Sequence, residues 1–286
     1  MTITEQKAPI RIDLHCHSNL SDGQLTPEQL VMRAAQMQLD YLALTDHDAV
    51  AGVERARSAA QAYGKGAPDI ISGVEFSCQW QGFEIHILGW HFDVQHPAMT
   101  RLVTQQQQTR RDRAAAIGAK LVKQGVAAEH LPPPVEGQVL TRAHFAAALQ
   151  SHGYVSSVQD AFRRYLGKGQ CAYVPTPWCS IDEAIAAIQA AGGFTGLAHP
   201  LAYQLSSKWL KRLIVAFKEA GGEAMEVASG QQEPKQRQLL AQLAQDYDLA
   251  ASVGSDFHYP GRWRELGRNL TLPAECRPIW ASWNLA

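Results

Sequence analysis

The chain has 286 residues, 46% of them hydrophobic and 19% charged, with a formal net charge of -1. That length suits one large domain, or one domain carrying a sizeable insertion, and the near-zero charge excludes a global basic field for long nucleic acid while allowing a local basic patch. No apolar run is long enough to span a bilayer, and the polar start, Met1 to Pro9, has no apolar core of signal-peptide length, so the expected location is the cytoplasm with no membrane contact.

Ile10 to Ile12 reads as a short strand leading into Asp13-Leu14-His15-Cys16-His17. Side chains alternate along a strand, so His15 and His17 share a face, about 7 Å apart, and can converge on one metal ion. Leu25 to Leu39 is a predicted helix, with Thr26 as N-cap, Pro27 at the first helical position and Glu28 in the first turn. Tyr41 to Thr45 is a buried strand ending at Asp46-His47-Asp48. Ala49 to Tyr63 is helical and stops at Gly64. Ile70 to Phe76 is the next strand, with Glu75 near its end. Gln81-Gly82 marks a tight turn before the strand Phe83 to Trp90, which carries His86 in its middle.

The rhythm changes from Pro97 to Val174, which is helical, polar and basic without convincing strands. Arg110, Arg111 and Arg113 read there as a solvated helix face. Pro132-Pro133-Pro134 breaks the helices, and shorter ones follow at Thr141 to Ser151 and Val155 to Leu166. Alternation then resumes. Helices at Ile181 to Ala191 (capped by Ser180), Lys208 to Ala220 and Pro234 to Tyr247 alternate with strands at Thr195 to Ala198, Ala224 to Val227 and Leu249 to Val253. The strands lead into His199-Pro200 and Asp256-Phe257-His258.

Alternating strands and helices imply a mainly parallel sheet. About seven strands, with ligand-type residues at several carboxyl ends, favour an α/β barrel over an open sheet. The barrel is expected from 1–96 and 175–286, with 97–174 as an inserted helical subdomain. No GxxxxGK[ST] loop and no GxGxxG follows a strand, so nucleotide-binding folds of those types lack support. The five cysteines, Cys16, Cys78, Cys171, Cys179 and Cys276, form no CxxC pair and are expected as thiols.

Asp13-Leu14-His15-Cys16-His17 with Ser21-Asp22-Gly23, Leu44-Thr45-Asp46-His47-Asp48, Ala198-His199-Pro200 and Ser255-Asp256-Phe257-His258 resemble, in order, the four motifs of the PHP (polymerase and histidinol phosphatase) family. The likeness covers about residues 10 to 95 and 175 to 260. It implies a distorted (β/α)7 barrel with a metal cluster at the carboxyl ends of the strands. By motif, a first metal would be held by His15, His17, Glu75 and Asp256. Glu75 would bridge to a second, with His86 and His199, and a third would take Asp22, His47 and His258. Asp22, His199 and Asp256 are also expected to act at the reacting phosphate. A ligand set of imidazole and carboxylate without thiolate suits Mn2+, Fe2+ or Zn2+ alike; three ions per chain are implied, with Mn2+ the expected one. Such ions acidify a water between them and take up charge on phosphoryl oxygens, so phosphate ester hydrolysis is the natural use. Cys16, between two ligands, is expected to face the core.

The stretches around Thr141-Arg142-Ala143-His144-Phe145 and from Gly167 to Pro175 resemble a PHP subgroup. Its members are described as 3',5'-nucleoside bisphosphate phosphatases and 5'-to-3' exonucleases on short RNA. Arg142 and His144 at a helix start, Lys168 between glycines and Tyr173 are the expected 5'-phosphate site. The implied partners are a nucleotide and short RNA, with no obligate protein partner evident. Two alternatives remain at this level: a histidinol-phosphate phosphatase, which needs no second phosphate site, and a metal-stabilised accessory module without activity.

Overall fold

The computed structural model describes residues 10–261, 264–283 and 285. In chain order the strands are β1 (Ile12–Asp13), β2 (Tyr41–Leu44), β3 (Asp69–Trp80), β4 (Phe83–Trp90), β5 (Cys179–Ser180), β6 (Phe194–Leu197), β7 (Ala224–Ser229) and β8 (Ala250–Gly254). The helices are α1 (Pro27–Gln36), α2 (Ala51–Tyr63), α3 (Pro97–Lys123), α4 (Arg142–Ser151), α5 (Val158–Ala161), α6 (Ile181–Ala190), α7 (Ser207–Glu219) and α8 (Pro234–Asp246). The sheet runs β1-β2-β3-β4-β6-β7-β8, with β5 added beside β3. Its ends meet: Leu14 N donates to Val253 O at 3.1 Å, and a parallel bridge joins Cys16 to Phe257. The result is the expected α/β barrel, nearly closed.

One strand departs from the parallel pattern. β4 pairs antiparallel with both β3 and β6. The cause is local: the turn Gln81-Gly82 is too short for a crossover, so the chain must return as a hairpin. β3 therefore continues past the expected end at Phe76 to Trp80, where it pairs with Phe83. His86 thus reaches the site from a descending strand rather than from a strand's carboxyl end.

Alternation along β4 sorts its neighbours. Leu88 and Trp90, on the face of His86, join Leu14, Ala43, Ile71 and Val253 in a buried cluster that fills the barrel. Ile85 and Ile87, on the other face, pack with Ile185 and Ile188 of α6 and Leu213 and Phe217 of α7. Cys16 is buried with Leu30, Val31 and Phe257, as expected.

Between β4 and β5 the chain is helical. The lower turns of α3, through Met99, Leu102 and Val103, belong to the cluster between barrel and helices. Farther along, Ile117 and Leu121 pack instead with Phe145, Leu149 and Leu166 in a separate cluster. The helix expected from Val155 starts later because Ser157 caps it, accepting from Asp160 N at 3.1 Å, and Phe162–Leu166 continues as a π-helical turn. The expectation of a solvated arginine face fails for Arg110 and Arg113, which are 3% and 6% exposed; Arg111 alone is exposed. Arg110 Nε donates to Asp48 Oδ2 at 2.6 Å and its Nη2 to Ser77 Oγ at 2.7 Å. Arg113 Nη2 lies 3.3 Å from Glu84, and both guanidinium groups stack on Trp178.

Candidate metal centre

All the residues expected as metal ligands come together at the barrel mouth. His15, His17, Asp22, His47, Glu75, His86, His199, Asp256 and His258 form four overlapping groups whose donor atoms lie within 4.8 Å of one another. These groups are His17-Asp22-His47-His258, His15-His17-Asp256, His15-Glu75-His199 and His47-Glu75-His86. Glu75 joins two of them. His86 Nδ1 and His199 Nε2 both lie 2.9 Å from its Oε1, so the expected pairing of these imidazoles about Glu75 has a geometric counterpart.

The spacing also suits coordination. His15 Nε2 and His17 Nε2 face each other at 3.1 Å. Two ligands each about 2.1 Å from one ion sit roughly 3.0–3.4 Å apart. Glu75 Oε2 lies 3.5, 3.3 and 3.0 Å from nitrogens of His15, His17 and His47, yet none is aligned to donate to it. Asp22 Oδ1 is likewise buried without an aligned donor, although His258 Nε2 stands 3.3 Å away. Buried carboxylate oxygens ordinarily find a donor. A cation among these atoms would satisfy several of them at once, so the residues fit a cluster of divalent ions.

Electrostatics point the same way. Burial alone would raise the carboxyls of Asp22, Glu75 and Asp256. The surrounding imidazoles, foremost His47 and His258 for Asp22, His86 and His47 for Glu75, and His258 and His15 for Asp256, hold all three below the usual carboxylate range. Burial disfavours charge on His17 as well, but the carboxylates of Asp256 and Glu75, 3.4 and 3.3 Å from its Nε2, push it up to about 10. Without metal, protons take the place that cations would fill.

A supporting layer fixes these side chains. β1 is too short to carry His15 and His17 itself, so the Asp13 carboxylate holds the following turn, accepting from His15 N, Ser255 N and Gly267 N at 3.3, 2.9 and 2.9 Å. Asp46 accepts from Ser18 N and Oγ and from Ser21 Oγ at 2.7, 2.6 and 2.6 Å, shaping the loop that presents Asp22. Gly23 is required there, because an added Cβ would stand 2.1 Å from His17 O. His199 and Asp256 have positive φ, 27° and 50°, a local cost retained where strands hand over to the site.

Two neighbours were not evident from the sequence. Glu226, 2% exposed in β7, lies with Oε1 3.1 Å from His15 Nδ1 and accepts from His199 N at 2.7 Å. It orients one candidate ligand and the backbone of another. Its signal was a carboxylate within the apolar run Ala-Met-Glu-Val. Arg264 Nη1 donates to Asp256 O at 2.8 Å and lies 3.2 Å from its Oδ2, at the open edge of the cluster. Nothing in its irregular surroundings marked it.

The expected phosphate-binding residues divide. Arg142 Nη2 lies 3.2 Å from Glu84 Oε2, and Glu84 shares the face of His86 two residues away. Burial would raise the Glu84 carboxyl, but Arg113 and Arg142 lower it to about 2. His144 is half-buried and completes the capping box of α4, its Nδ1 accepting from Thr141 N at 3.0 Å. Lys168 is farther off: its Nζ donates to Gly82 O at 3.2 Å and sits over the Phe83 ring, at the tip of the β3–β4 hairpin. Tyr173 is half-buried, with its carbonyl accepting from Lys120 Nζ at 2.6 Å.

Comparison with known proteins agrees with this geometry. The chain is 47% identical over 272 residues to a 5'-3' exoribonuclease of Haemophilus influenzae, covering 94% of this chain and 98% of the relative. It is 39% identical over 276 residues to a 3',5'-nucleoside bisphosphate phosphatase of Chromobacterium violaceum, covering 94% and 95%. The solved structure of a C. violaceum amidohydrolase with bound sulfate superposes with a TM-score of 0.87 at 37% identity, covering 95% of each chain. With the PHP domain model matching residues 13–255, from the carboxylate beneath His15 to the end of β8, the chain belongs to the PHP domain family.

Proposed function

We propose that the protein is a metal-dependent phosphoesterase that removes the 3'-phosphate of 3',5'-nucleoside bisphosphates, giving the 5'-monophosphate and phosphate. On short 5'-phosphorylated RNA the same chemistry would act as a 5'-to-3' exonuclease. The observation that carries the reading is the cluster of nine imidazole and carboxylate ligands beside an arginine group on the inserted helices. The names of the relatives, an exoribonuclease and a bisphosphate phosphatase, support both activities.

Three divalent ions, Mn2+ foremost, would be held by His15, His17, Glu75 and Asp256, by Glu75, His86 and His199, and by Asp22, His47 and His258. When bound they would supply an acidified water and a counter-charge for phosphoryl oxygens. Asp22, His199 and Asp256 would act at the reacting phosphate; side-chain exposures of 21% and 23% for His199 and Asp256 support this reading, and Asp22 stands beside them with 9%. Glu226 keeps His15 in one orientation, and Asp46 keeps the loop of Asp22 in place. Residues 97–174 would act as a cap, with Arg142 and His144 nearest the 5'-phosphate and Lys168 and Tyr173 farther out. The setting is the cytoplasm, with no obligate protein partner.

Arg110, Arg113 and Arg142 set three guanidinium groups against Asp48 and Glu84, leaving a local positive excess near His86. A charge-assisted contact to phosphate contributes about 1.5–3 kcal/mol. Arg142→Ala should therefore cut kcat/KM roughly ten- to a hundredfold on a 3',5'-bisphosphate and little on a 3'-monophosphate. Equal loss on both, or preference of the wild type for histidinol phosphate, would refute the assignment.

A further inference from the structure

The loops after β7 and β8 form a path that leads away from the metal centre. A cavity of about 350 Å3 opens on His199, Asp256 and Arg264 and is walled by Gln231 and Gln232. A recess of about 540 Å3 shares both glutamines with it and adds Arg268 and Asn269. A third, about 290 Å3, shares Gln232 and Asn269 and reaches Arg237. Gln232 lines all three, so they adjoin around it and together offer one extended ligand a groove. None of their walls comes from residues 97–174, so the groove lies apart from the inserted helices.

The walls are rich in guanidinium and amide groups. The carboxylates along the groove are Glu226 and Asp256 at its inner end, both already engaged at the metal centre, and Glu275 at its outer end. Arg237 donates to the carbonyls of Thr271, Ser229 and Asn269 at 3.2, 3.4 and 2.7 Å, which fixes its positive charge at the groove wall. Among the described residues no carboxylate forms an ion pair with it. A groove of this chemistry suits an anionic, hydroxyl-rich chain: guanidinium for phosphate, amides for ribose hydroxyls and base edges.

We propose that this groove holds the downstream part of a 5'-phosphorylated RNA, on the 3' side of the scissile bond. The inference rests on the phosphoesterase reading above and deepens it. A bisphosphate is complete with its 5'-phosphate near the cap and its 3'-phosphate at the metals. A phosphodiester at the same place carries a further nucleotide on its second ester oxygen, and that nucleotide needs its own route out. Water supplies hydroxyl to phosphorus, the bond from phosphorus to O3' breaks, and O3' takes the remaining proton. The phosphate stays on the shortened chain, so the retained strand again begins with a 5'-phosphate and can advance by one nucleotide. The groove thus separates the exonuclease from the phosphatase: the two share the metals and differ in its use.

The test is a charge series at Gln232. Its side-chain oxygen accepts from Ser229 N at 3.4 Å, a contact that a glutamate retains. The kcat/KM of wild type, Gln232→Glu and Gln232→Lys is measured on a 3',5'-bisphosphate and on 5'-phosphorylated di- and pentanucleotides at two salt concentrations. Gln232→Glu should lose about tenfold on the pentanucleotide and less on the dinucleotide, with bisphosphate turnover within about twofold. Its defect should shrink with salt, and Gln232→Lys should move the pentanucleotide rate upward. Equal effects on bisphosphate and pentanucleotide would overturn the proposal, as would no effect on either. A wild type that cleaves bisphosphate but no RNA would also overturn it while leaving the phosphatase reading intact. A wild type that cleaves neither would overturn the phosphoesterase reading itself.

Discussion

Replacing Glu226 by glutamine should weaken metal binding while leaving every candidate ligand in place. One carboxylate oxygen of Glu226 stands 3.1 Å from His15 Nδ1, and the other accepts from His199 N at 2.7 Å. Glutamine keeps only one oxygen, so its amide nitrogen must face one of these two groups. A buried donor left unpaired costs about 1–3 kcal/mol. At about 1.4 kcal/mol per factor of ten, this corresponds to a loss of metal affinity of roughly 5- to 150-fold. That range brackets the roughly 10- to 100-fold typical of carboxylates behind a histidine ligand. The assay is competition with a chelator followed by metal analysis, with phosphate release measured at saturating metal. Glu226→Gln should raise the metal Kd at least about fivefold and recover much of its activity when metal is added. Unchanged metal affinity in a folded variant would refute the idea that Glu226 orients His15.

Glu75→Ala should remove more than one metal equivalent, because its two oxygens lie near nitrogens of His15, His17, His47, His86 and His199; full metal content with unchanged turnover would disprove the bridging role. Arg110→Ala breaks a buried ion pair and should cost about 3–5 kcal/mol of stability, read as a lower midpoint of denaturant unfolding. In metal-free protein, His17 has its pKa raised from 6.5 to about 10. A raised folded-state pKa gives stability that is full below the unfolded value and is lost as pH rises through the folded one. The Tm of the chelated protein should therefore fall between about pH 7 and 10, and metal affinity should rise over the same window as cations displace protons; a flat Tm with pH-independent affinity would contradict both.

The gathering of the nine candidate ligands was legible because most fall in short motifs beside apolar runs, where a barrel brings together residues distant in sequence. Glu226 was not, because its partner His15 is 211 positions away and only closure of β1 against β8 brings them together. The reading of Arg110 and Arg113 failed for a related reason. Polar residues on a helix look solvated until Asp48, Ser77 and Glu84 arrive from other elements to receive them. Lys168 between glycines suggested a cation near a phosphate; its Nζ meets the Gly82 carbonyl and the Phe83 ring at the hairpin tip, contacts that only the folded chain reveals. Strand direction was legible only in part: Gln81-Gly82 announced a turn, and the reversal of β4 follows once that turn is too short for a crossover.

That reversal governs the helix that follows. Because β4 descends, the chain leaves it at the foot of the barrel and must climb the outside to regain the mouth. The 27 residues of α3, about 40 Å of helix, supply the climb. Met99, Leu102 and Val103 bolt the lower end to the wall, and Gln106 and Arg110 clamp it again at the rim through Asp48 and Ser77. A rod fastened at two heights behaves as a fixed bracket rather than a hinged door. Selection by the helices it carries would then rest on a preformed gap, and nucleotide-free and nucleotide-bound forms should superpose without rotation of that rod.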